Sequence, residues 1–330
     1  MSQDPDDTPA YDTIDLFGGP GGWDVAAREL GLTALGIEWD GPACSTRRAA
    51  GLLAVEDDVR NYSPADFRAV PGLIASPPCQ TFSAAGRGAG RAALDTVLAL
   101  AKALEARESV DYSVFTDERT GLVLEPLRWV LAALDLDRPF EWLAFEQVPA
   151  VLPVWEAMAE AFRRAGYSVA TGKLSAEEYG VPQTRKRAFL VARLHGEVSL
   201  PAPTHRPYKR GVPQTDGDPE LLPWRSMADA IGWGMTHRPY PTLASGITGG
   251  PDREKVGGSG ARQQIYAEMD AGRWIHNAER NARISMEEAA LIQSFPANYP
   301  WQGTATKVFQ QIGNAVPPLL ARAVLAAATA

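Results

Sequence analysis

The stretch from Tyr11 to Gly31 constrains the fold more than any other. Tyr11-Asp12-Thr13-Ile14-Asp15-Leu16-Phe17 reads as a strand, Gly18-Gly19-Pro20-Gly21-Gly22 as a tight turn, and Trp23 to Leu30 as a helix stopped by Gly31. The alternation continues. A strand from Thr33 to Ile37 ends at Glu38-Trp39-Asp40, a helix covers Ala43 to Ala50, Asp57-Asp58-Val59 closes a third strand, and Gly72-Leu73-Ile74-Ala75 is a short buried one. This β-α-β-α-β order predicts an α/β protein with a doubly wound, mostly parallel, Rossmann-like sheet. Helices are further expected over residues 91–108, Leu122–Leu134, Val154–Ala165, Met286–Ile292 and Val316–Thr329, the last starting at Pro317-Pro318. Strands are expected over Trp142–Phe145, Tyr167–Leu174 and Arg187–Ala192. From about residue 194, Gly, Pro and Trp become frequent and periodicity fades until Ser285. The expected partition is a large domain over residues 1–193, completed by 305–330, and a small loop-rich domain over 194–304.

Two cysteines, Cys44 and Cys79, exclude a disulfide framework and fit a reducing compartment. The N-terminus, Met1-Ser2-Gln3-Asp4-Pro5-Asp6-Asp7, is too acidic for a signal peptide. No uncharged apolar run reaches the ~18 residues a membrane span needs, so a cytoplasmic protein with no membrane partner is expected. The net charge of −8 argues mildly against a nucleic-acid partner. The charge is uneven, however: basic residues cluster at Arg185-Lys186-Arg187 and from His205 to Arg210, and a local basic face suffices to hold a phosphate backbone.

Several residues point to chemistry. Cys79 follows Pro77-Pro78 at the exit of the Gly72–Ala75 run, where α/β enzymes hold reactive groups. A lone cysteine is more often a small core hydrophobe. The Gly18–Gly22 turn lets a ligand approach backbone N–H groups at a helix N-terminus, although it lacks a strict G-x-G-x-x-G and is no P-loop. Glu38 stands about 20 residues on, where a ribose-binding carboxylate belongs. Trp39 offers an indole face to an adenine, and Asp58 marks a third strand end. Taken together these predict a nucleoside cofactor. Glu146 follows the strand at Trp142 and can converge with Cys79, or be a solvated loop charge. Arg185 and Arg187 alone read as a solvated basic face, and Asn314 as a helix cap.

In chain order, Asp15-Leu16-Phe17-x-Gly-x-Gly-Gly, Pro77-Pro78-Cys79-Gln80, Glu146-x-Val148-Pro149, Gln183-x-Arg185-x-Arg187 and Gly313-Asn314-x-Val316 resemble the DNA (cytosine-5) methyltransferases. Ala289-x-Leu291-Ile292-Gln293-Ser294-Phe295-Pro296 resembles that family's block before the last motif, and the likeness covers residues 12–193 and about 283–325. The resemblance implies that Cys79 adds to C6 of cytosine, that C5 takes a methyl group from S-adenosylmethionine, and that loss of the C5 proton expels the cysteine. It implies Glu146 at N3 and the exocyclic amine, and Arg187 with Arg185 at the base O2 and the nearby phosphate. The target base must leave the duplex to meet the thiol.

For the cofactor, the resemblance implies Phe17 with Gly18, Gly19, Gly21, Gly22 and Trp23 on the methionine and ribose side. Glu38 takes the ribose hydroxyls, Trp39 the adenine face, and Asp58 with Val59 the adenine edge. Pro78, Asn314 and Ala315 close the other wall. No metal is implied. Double-stranded DNA is the implied partner, with Gln80, Ser83 and Arg119 on a closing loop and Arg206, Lys209, Arg210, Arg253 and Lys255 as contacts in a target-recognition region. A monomer is expected, with a cognate restriction endonuclease as a genetic partner only. The excess of arginine over lysine, 26 to 6, and the many alanines fit a GC-rich bacterial or phage genome, hence restriction-modification or phage self-protection.

Three departures stand out. Gln147 replaces the family's usual Asn, residues 88–112 form an insertion read as a packed helix rather than a DNA-facing one, and the target-recognition region is short. Two readings compete: an RNA (tRNA) cytosine-5 methyltransferase on the same fold, and a catalytically silent nucleic-acid-binding protein. A Rossmann dehydrogenase accounts for Gly18–Gly22 and Glu38 but leaves the Pro-Cys-Gln block unexplained.

Overall fold

A computed structural model of the chain describes residues 10–78, 82, 93–243, 259–278 and 283–330. Its centre is a seven-stranded sheet in the order β3-β2-β1-β4-β5-β8-β6. In chain order, strand β1 (Thr13–Leu16) leads to helix α1 (Gly22–Glu29), β2 (Ala34–Glu38), α2 (Gly41–Ala49), β3 (Leu53–Glu56) and β4 (Gly72–Ala75). Then come α3 (Leu94–Glu105), α4 (Glu125–Asp135), β5 (Trp142–Gln147), α5 (Leu152–Arg164), β6 (Ser168–Ser175), the short β7 (Gln183–Thr184) and β8 (Lys186–Arg193). The first five strands of the sheet pair in parallel, whereas β8 runs antiparallel to both β5 and β6. Strand order reverses between β1 and β4, which opens a crevice beyond their carboxyl ends.

The side-chain period of two divides the central strands between two cores. Leu73 and Ala75 of β4 with Leu143 and Phe145 of β5 face a core completed by Trp129 and Val130 of α4 and Trp155 and Phe162 of α5. Ile74 and Ala144 face the opposite core, against Ala26 and Ala27 of α1 and the C-terminal helix. The insertion helix α3 buries Val97, Ala101 and Leu104 in the first core and is tied down by the Glu105–Arg164 ion pair, so it packs as read. Leu122, expected to open a helix, lies instead in a 3₁₀ segment, Glu118–Leu124, that runs into α4.

Beyond β8, the loop-rich stretch holds α6 (Met227–Ile231), β9 (Gly234–Met235), β10 (Tyr240–Pro241), α7 (Ser259–Asp270) and β11 (Trp274–Ile275). Then follow α8 (Met286–Ile292), α9 (Ala305–Asn314) and α10 (Pro318–Thr329). Met227, Trp233, Ile292, Phe295 and Phe309 belong to a third core, while Leu320, Val324 and Leu325 of α10 pack on the sheet. Asn314 is the last residue of α9 rather than an N-cap; α10 begins behind Pro317, whose ring takes the cap position without a side-chain bond. Residues 305–329 are apolar enough by length and composition to cross a membrane, but they form two helices broken at Ala315–Pro317 and are mostly buried in the fold.

Candidate active site

The carboxyl ends of β1, β2, β4 and β5 deliver their residues to one cavity of about 420 Å³, lined by Gly18, Glu38, Pro78, Glu146, Arg187 and Asn314 among others. A smaller one of about 200 Å³ continues from Phe17, Glu38 and Trp39 toward Asp58, Val59 and Leu122. Phe17 has φ +61°, a left-handed conformation costly for a bulky residue, and it turns the chain sharply out of β1. Gly19 (φ +52°) and Gly21 (φ +98°) continue that turn where a side chain would be strained. Gly21 is absent from both cavity walls; a Cβ there would lie 2.2 Å from Leu52, so this glycine serves the packing behind the turn. Gly22 admits the carbonyl of Val316, which a Cβ at this position would meet at 2.3 Å.

Glu38 is buried at the end of β2. Its Oε2 accepts from the Gly19 N–H at 2.9 Å and its Oε1 from the Asp40 N–H at 2.8 Å. Burial raises its pKa, against those two backbone donors, which favour the charged form. Trp39 beside it is 62% exposed, a free indole face. Asp58 follows the end of β3; its carboxylate is lowered in pKa although burial opposes this, because Arg60 grips it, Nη2 to Oδ2 at 2.7 Å. Val59 is buried beside it. Trp23 donates from Nε1 to Ser76 Oγ at 2.8 Å, tying α1 to the chain that leaves β4.

On the other side of the cavity, Glu146 pairs with Phe189 across the β5–β8 ladder. Arg187 lies two residues from Phe189, so it is the diagonal neighbour of Glu146 on the same face. Its Nε contacts Glu146 Oε1 at 2.9 Å, with side chains 12% and 7% exposed. Burial raises the Glu146 pKa, while Arg187, Arg185 and Ser76 pull the other way. Arg185 is buried and donates from Nη1 to Leu243 O (3.2 Å) and from Nη2 to Ala315 O (3.1 Å), which ties β8's approach to the end of α9. Gln147 donates from Nε2 to Pro77 O at 2.6 Å, and its Oε1 curls back to accept from the Val148 N–H. The additional methylene relative to asparagine is thereby accommodated in the loop that carries Pro77-Pro78.

Cys44 is buried, donates its thiol to Glu38 O at 3.2 Å and has its pKa pushed up to about 12, chiefly by burial, which makes it an inert structural thiol. Cys79, Gln80, Ser83, Arg253 and Lys255 lie outside the described residues. Arg119 lines both cavities and is exposed, held by Asp117 at 2.5 Å. Lys209 and Arg210 are exposed, with no ion pair among the described residues. Arg206 is committed elsewhere: its guanidinium donates to Asp218 O, Gln214 O and Thr215 O, so it organises its own loop.

Sequence reasoning missed Ser76 and Lys307 in the cavity wall. Lys307 meets Asp40 at 2.8 Å across 267 positions, a contact with no local signal.

The chain matches the C-5 cytosine-specific DNA methylase family over residues 11–107, 130–220 and 225–329. It belongs to that family. The enzyme is accordingly a DNA cytosine-5 methyltransferase. It is 28% identical to the Type II methyltransferase M1.HphI of Haemophilus parahaemolyticus over 344 residues, covering 94% of this chain and 84% of that one. It is also 28% identical to the Type II methyltransferase M.AplI of Arthrospira platensis over 330 residues, covering 94% and 83%. In fold it resembles a solved S. pombe Dnmt2 methyltransferase, with a TM-score of 0.60 at 17% identity over 96% of this chain and 98% of the other. A Dnmt2 mutant of Spodoptera frugiperda gives the same TM-score, 0.60, at 17% identity over 97% and 100%.

Proposed function

We propose that the enzyme methylates C5 of a cytosine turned out of duplex DNA, using S-adenosylmethionine and a covalent bond between Cys79 Sγ and C6. One observation carries this reading: a single cavity joins the glycine turn and Glu38 to the Glu146–Arg187 pair, and Pro78, the neighbour of Cys79, is part of its wall. The donor set suits the cofactor. A buried carboxylate at Glu38 accepts from a ribose diol, the Trp39 face stacks on a purine, and Val59 with Asp58 meets its edge. Phe17, Gly18, Gly19, Gly22, Asn314 and Ala315 bound the remainder. Bound S-adenosylmethionine supplies an electrophilic methyl group.

The protein's own residues supply the rest. Addition of the Cys79 thiolate to C6 forms the S–C6 bond and moves the C5–C6 π pair to C5, so negative charge spreads toward N3. Glu146, whose carboxyl burial pushes toward the protonated form against Arg187 and Arg185, donates to N3. Arg187 orients the Glu146 carboxyl through Oε1 and, with Arg185, supplies positive charge near the base O2. Once the methyl group is bonded to C5, the C5 proton passes to solvent, its bond pair restores the C5–C6 double bond, the S–C6 pair leaves on the Cys79 thiolate, and Glu146 recovers the N3 proton. Residues 1–193 with 305–330 act as the catalytic domain and 194–304 as the target-recognition domain, with Arg119, Lys209 and Arg210 toward DNA phosphates. As the relatives are Type II methyltransferases, a role in restriction-modification or phage self-protection follows, the enzyme working as a cytoplasmic monomer with an endonuclease as a genetic partner only.

The test is tritium transfer from labelled S-adenosylmethionine to unmethylated duplex DNA, followed by bisulfite sequencing. Label at cytosine C5 within one short motif is expected. Cys79→Ala is expected to abolish transfer while keeping cofactor binding; full activity in that variant defeats the mechanism. Label on transfer RNA instead of DNA defeats the choice of substrate.

A further inference from the structure

We infer that Arg47 is a positioning residue for the cofactor: from behind the glycine turn it fixes the peptide between Gly18 and Gly19, and so presents the Gly19 N–H to Glu38. The inference rests on the cofactor reading above. Arg47 lies on α2, fully buried, and is no part of the cavity wall. Its Nη1 donates to Gly18 O at 2.9 Å and to Asp24 Oδ2 at 2.9 Å; its Nη2 donates to Asp24 Oδ1 at 2.5 Å and to Leu53 O at 3.1 Å. One guanidinium thus ties the exit of β1, the first turn of α1 and the start of β3 together.

The Gly18 carbonyl and the Gly19 N–H belong to one planar unit, so they point to opposite sides. Arg47 holds the oxygen on the buried side. Glu38 Oε2 accepts from the nitrogen on the cavity side at 2.9 Å. If that peptide flipped, a carbonyl would face the Glu38 carboxylate, and the side chain assigned to the ribose diol would be repelled from its place.

The fold makes room for this guanidinium. A Cβ on Gly36, in mid-β2, would lie 2.1 Å from Arg47 Nη2, and one on Gly18 2.6 Å from Nη1. Gly18 has no positive φ, so its glycine is explained by the guanidinium rather than by backbone strain. The charges also balance. Burial, then the charge of Asp24, raises the Asp15 carboxyl well above the usual carboxylate range, against Arg47 at 3.6 Å. Asp15 is thereby pushed toward its neutral form, and Arg47 with Asp24, Nη2 to Oδ1 at 2.5 Å, forms the closer buried pair. Also behind the turn, Tyr299 donates from its hydroxyl to Pro20 O at 2.5 Å.

The experiment measures S-adenosylmethionine binding by calorimetry, steady-state kinetics and urea stability for wild type, Arg47→Met and the double variant Arg47→Met with Asp24→Leu. The double variant removes both charges and keeps the site folded if the single variant does not fold. Loss of the charged hydrogen bond to Gly18 is expected to raise the cofactor Kd and KM about tenfold or more in both variants. Expected kcat at saturating cofactor stays within about threefold. The double variant regains stability without regaining affinity. A double variant that binds cofactor as tightly as wild type overturns the inference, since Arg47 would then only neutralise Asp24. Wild-type protein that binds no cofactor overturns the cofactor reading itself, and this inference with it.

Discussion

Replacing Arg187 by Met keeps an apolar stem of similar reach but removes the cation beside a buried carboxyl. The Nε–Oε1 contact is 2.9 Å and the two side chains are 12% and 7% exposed. Breaking a buried pair costs about 3–5 kcal/mol when the remaining charge stays. The carboxyl can escape that cost by holding a proton, at about 1.4 kcal/mol for each pH unit above its ordinary pKa. Arg187 heads the influences that lower the Glu146 pKa, so its removal lets burial raise that pKa further. The folded state then binds a proton that the unfolded state has released, and stability falls as pH rises above the unfolded value of 4.5. The cost grows by about 1.4 kcal/mol for each pH unit above 4.5 as long as the carboxyl stays protonated, up to the ceiling of about 3–5 kcal/mol for an unpaired buried charge. Wild type carries part of the same penalty, so the difference between the proteins widens only above the wild-type titration point. Urea unfolding at pH ~5.5 and pH ~7.5, with unchanged m, reads it. The variant is expected to lose roughly 1–3 kcal/mol more than wild type on going from the lower to the higher pH. Adding Glu146→Gln should flatten that dependence. An equal loss at both pH values, or a pH dependence that survives in the double variant, refutes the reasoning.

Gln147→Leu leaves the Pro77 carbonyl and the Val148 N–H without their partner, and is expected to cost about 1–3 kcal/mol in unfolding free energy and to lower kcat. A variant as stable and active as wild type would show that the Pro77 loop needs no such tether. Gly36→Ala pushes a methyl against the Arg47 guanidinium, 2.1 Å from Nη2, and should weaken cofactor binding about tenfold, as Arg47→Met does. Unchanged affinity in a folded Gly36→Ala protein contradicts this. Burial raises the Glu177 pKa to about 7, so the native state binds an additional proton between pH 4.5 and about 7, and stability declines through that window. Glu177→Gln should therefore gain up to about 3 kcal/mol relative to wild type between pH ~4.5 and pH ~8; a flat difference over that range rules it out.

Much of the scaffold was legible in the sequence because its signals are local. Gly72–Ala75 is the strand read from its apolar run, and α8 spans Met286–Ile292 as read, with Ser285 accepting from the Glu288 N–H at its start. The glycine turn, Glu38 and Asp58 follow successive strands because β-α alternation repeats the same short-range pattern. α9 was not legible. Only its last two residues, Gly313 and Asn314, fall in the motif Gly313-Asn314-x-Val316, and its apolar face is buried with Phe295 and Ile292 from elsewhere in the chain.

The sequence by itself determined the sheet class and the order in which the motifs meet the strand ends, since periodicity and turn chemistry act over a few residues. Only the tertiary structure decided which side chains share a wall. The antiparallel register of β8 on β5 makes Arg187 the partner of Glu146, and a one-residue slip would turn it to the other face. The fold likewise closes Lys307 onto Asp40 and buries Arg47 under Gly18. These contacts join residues far apart in the chain, and for Arg187–Glu146 and Arg47 they rest on burial and charge compensation, which no local stretch of sequence contains.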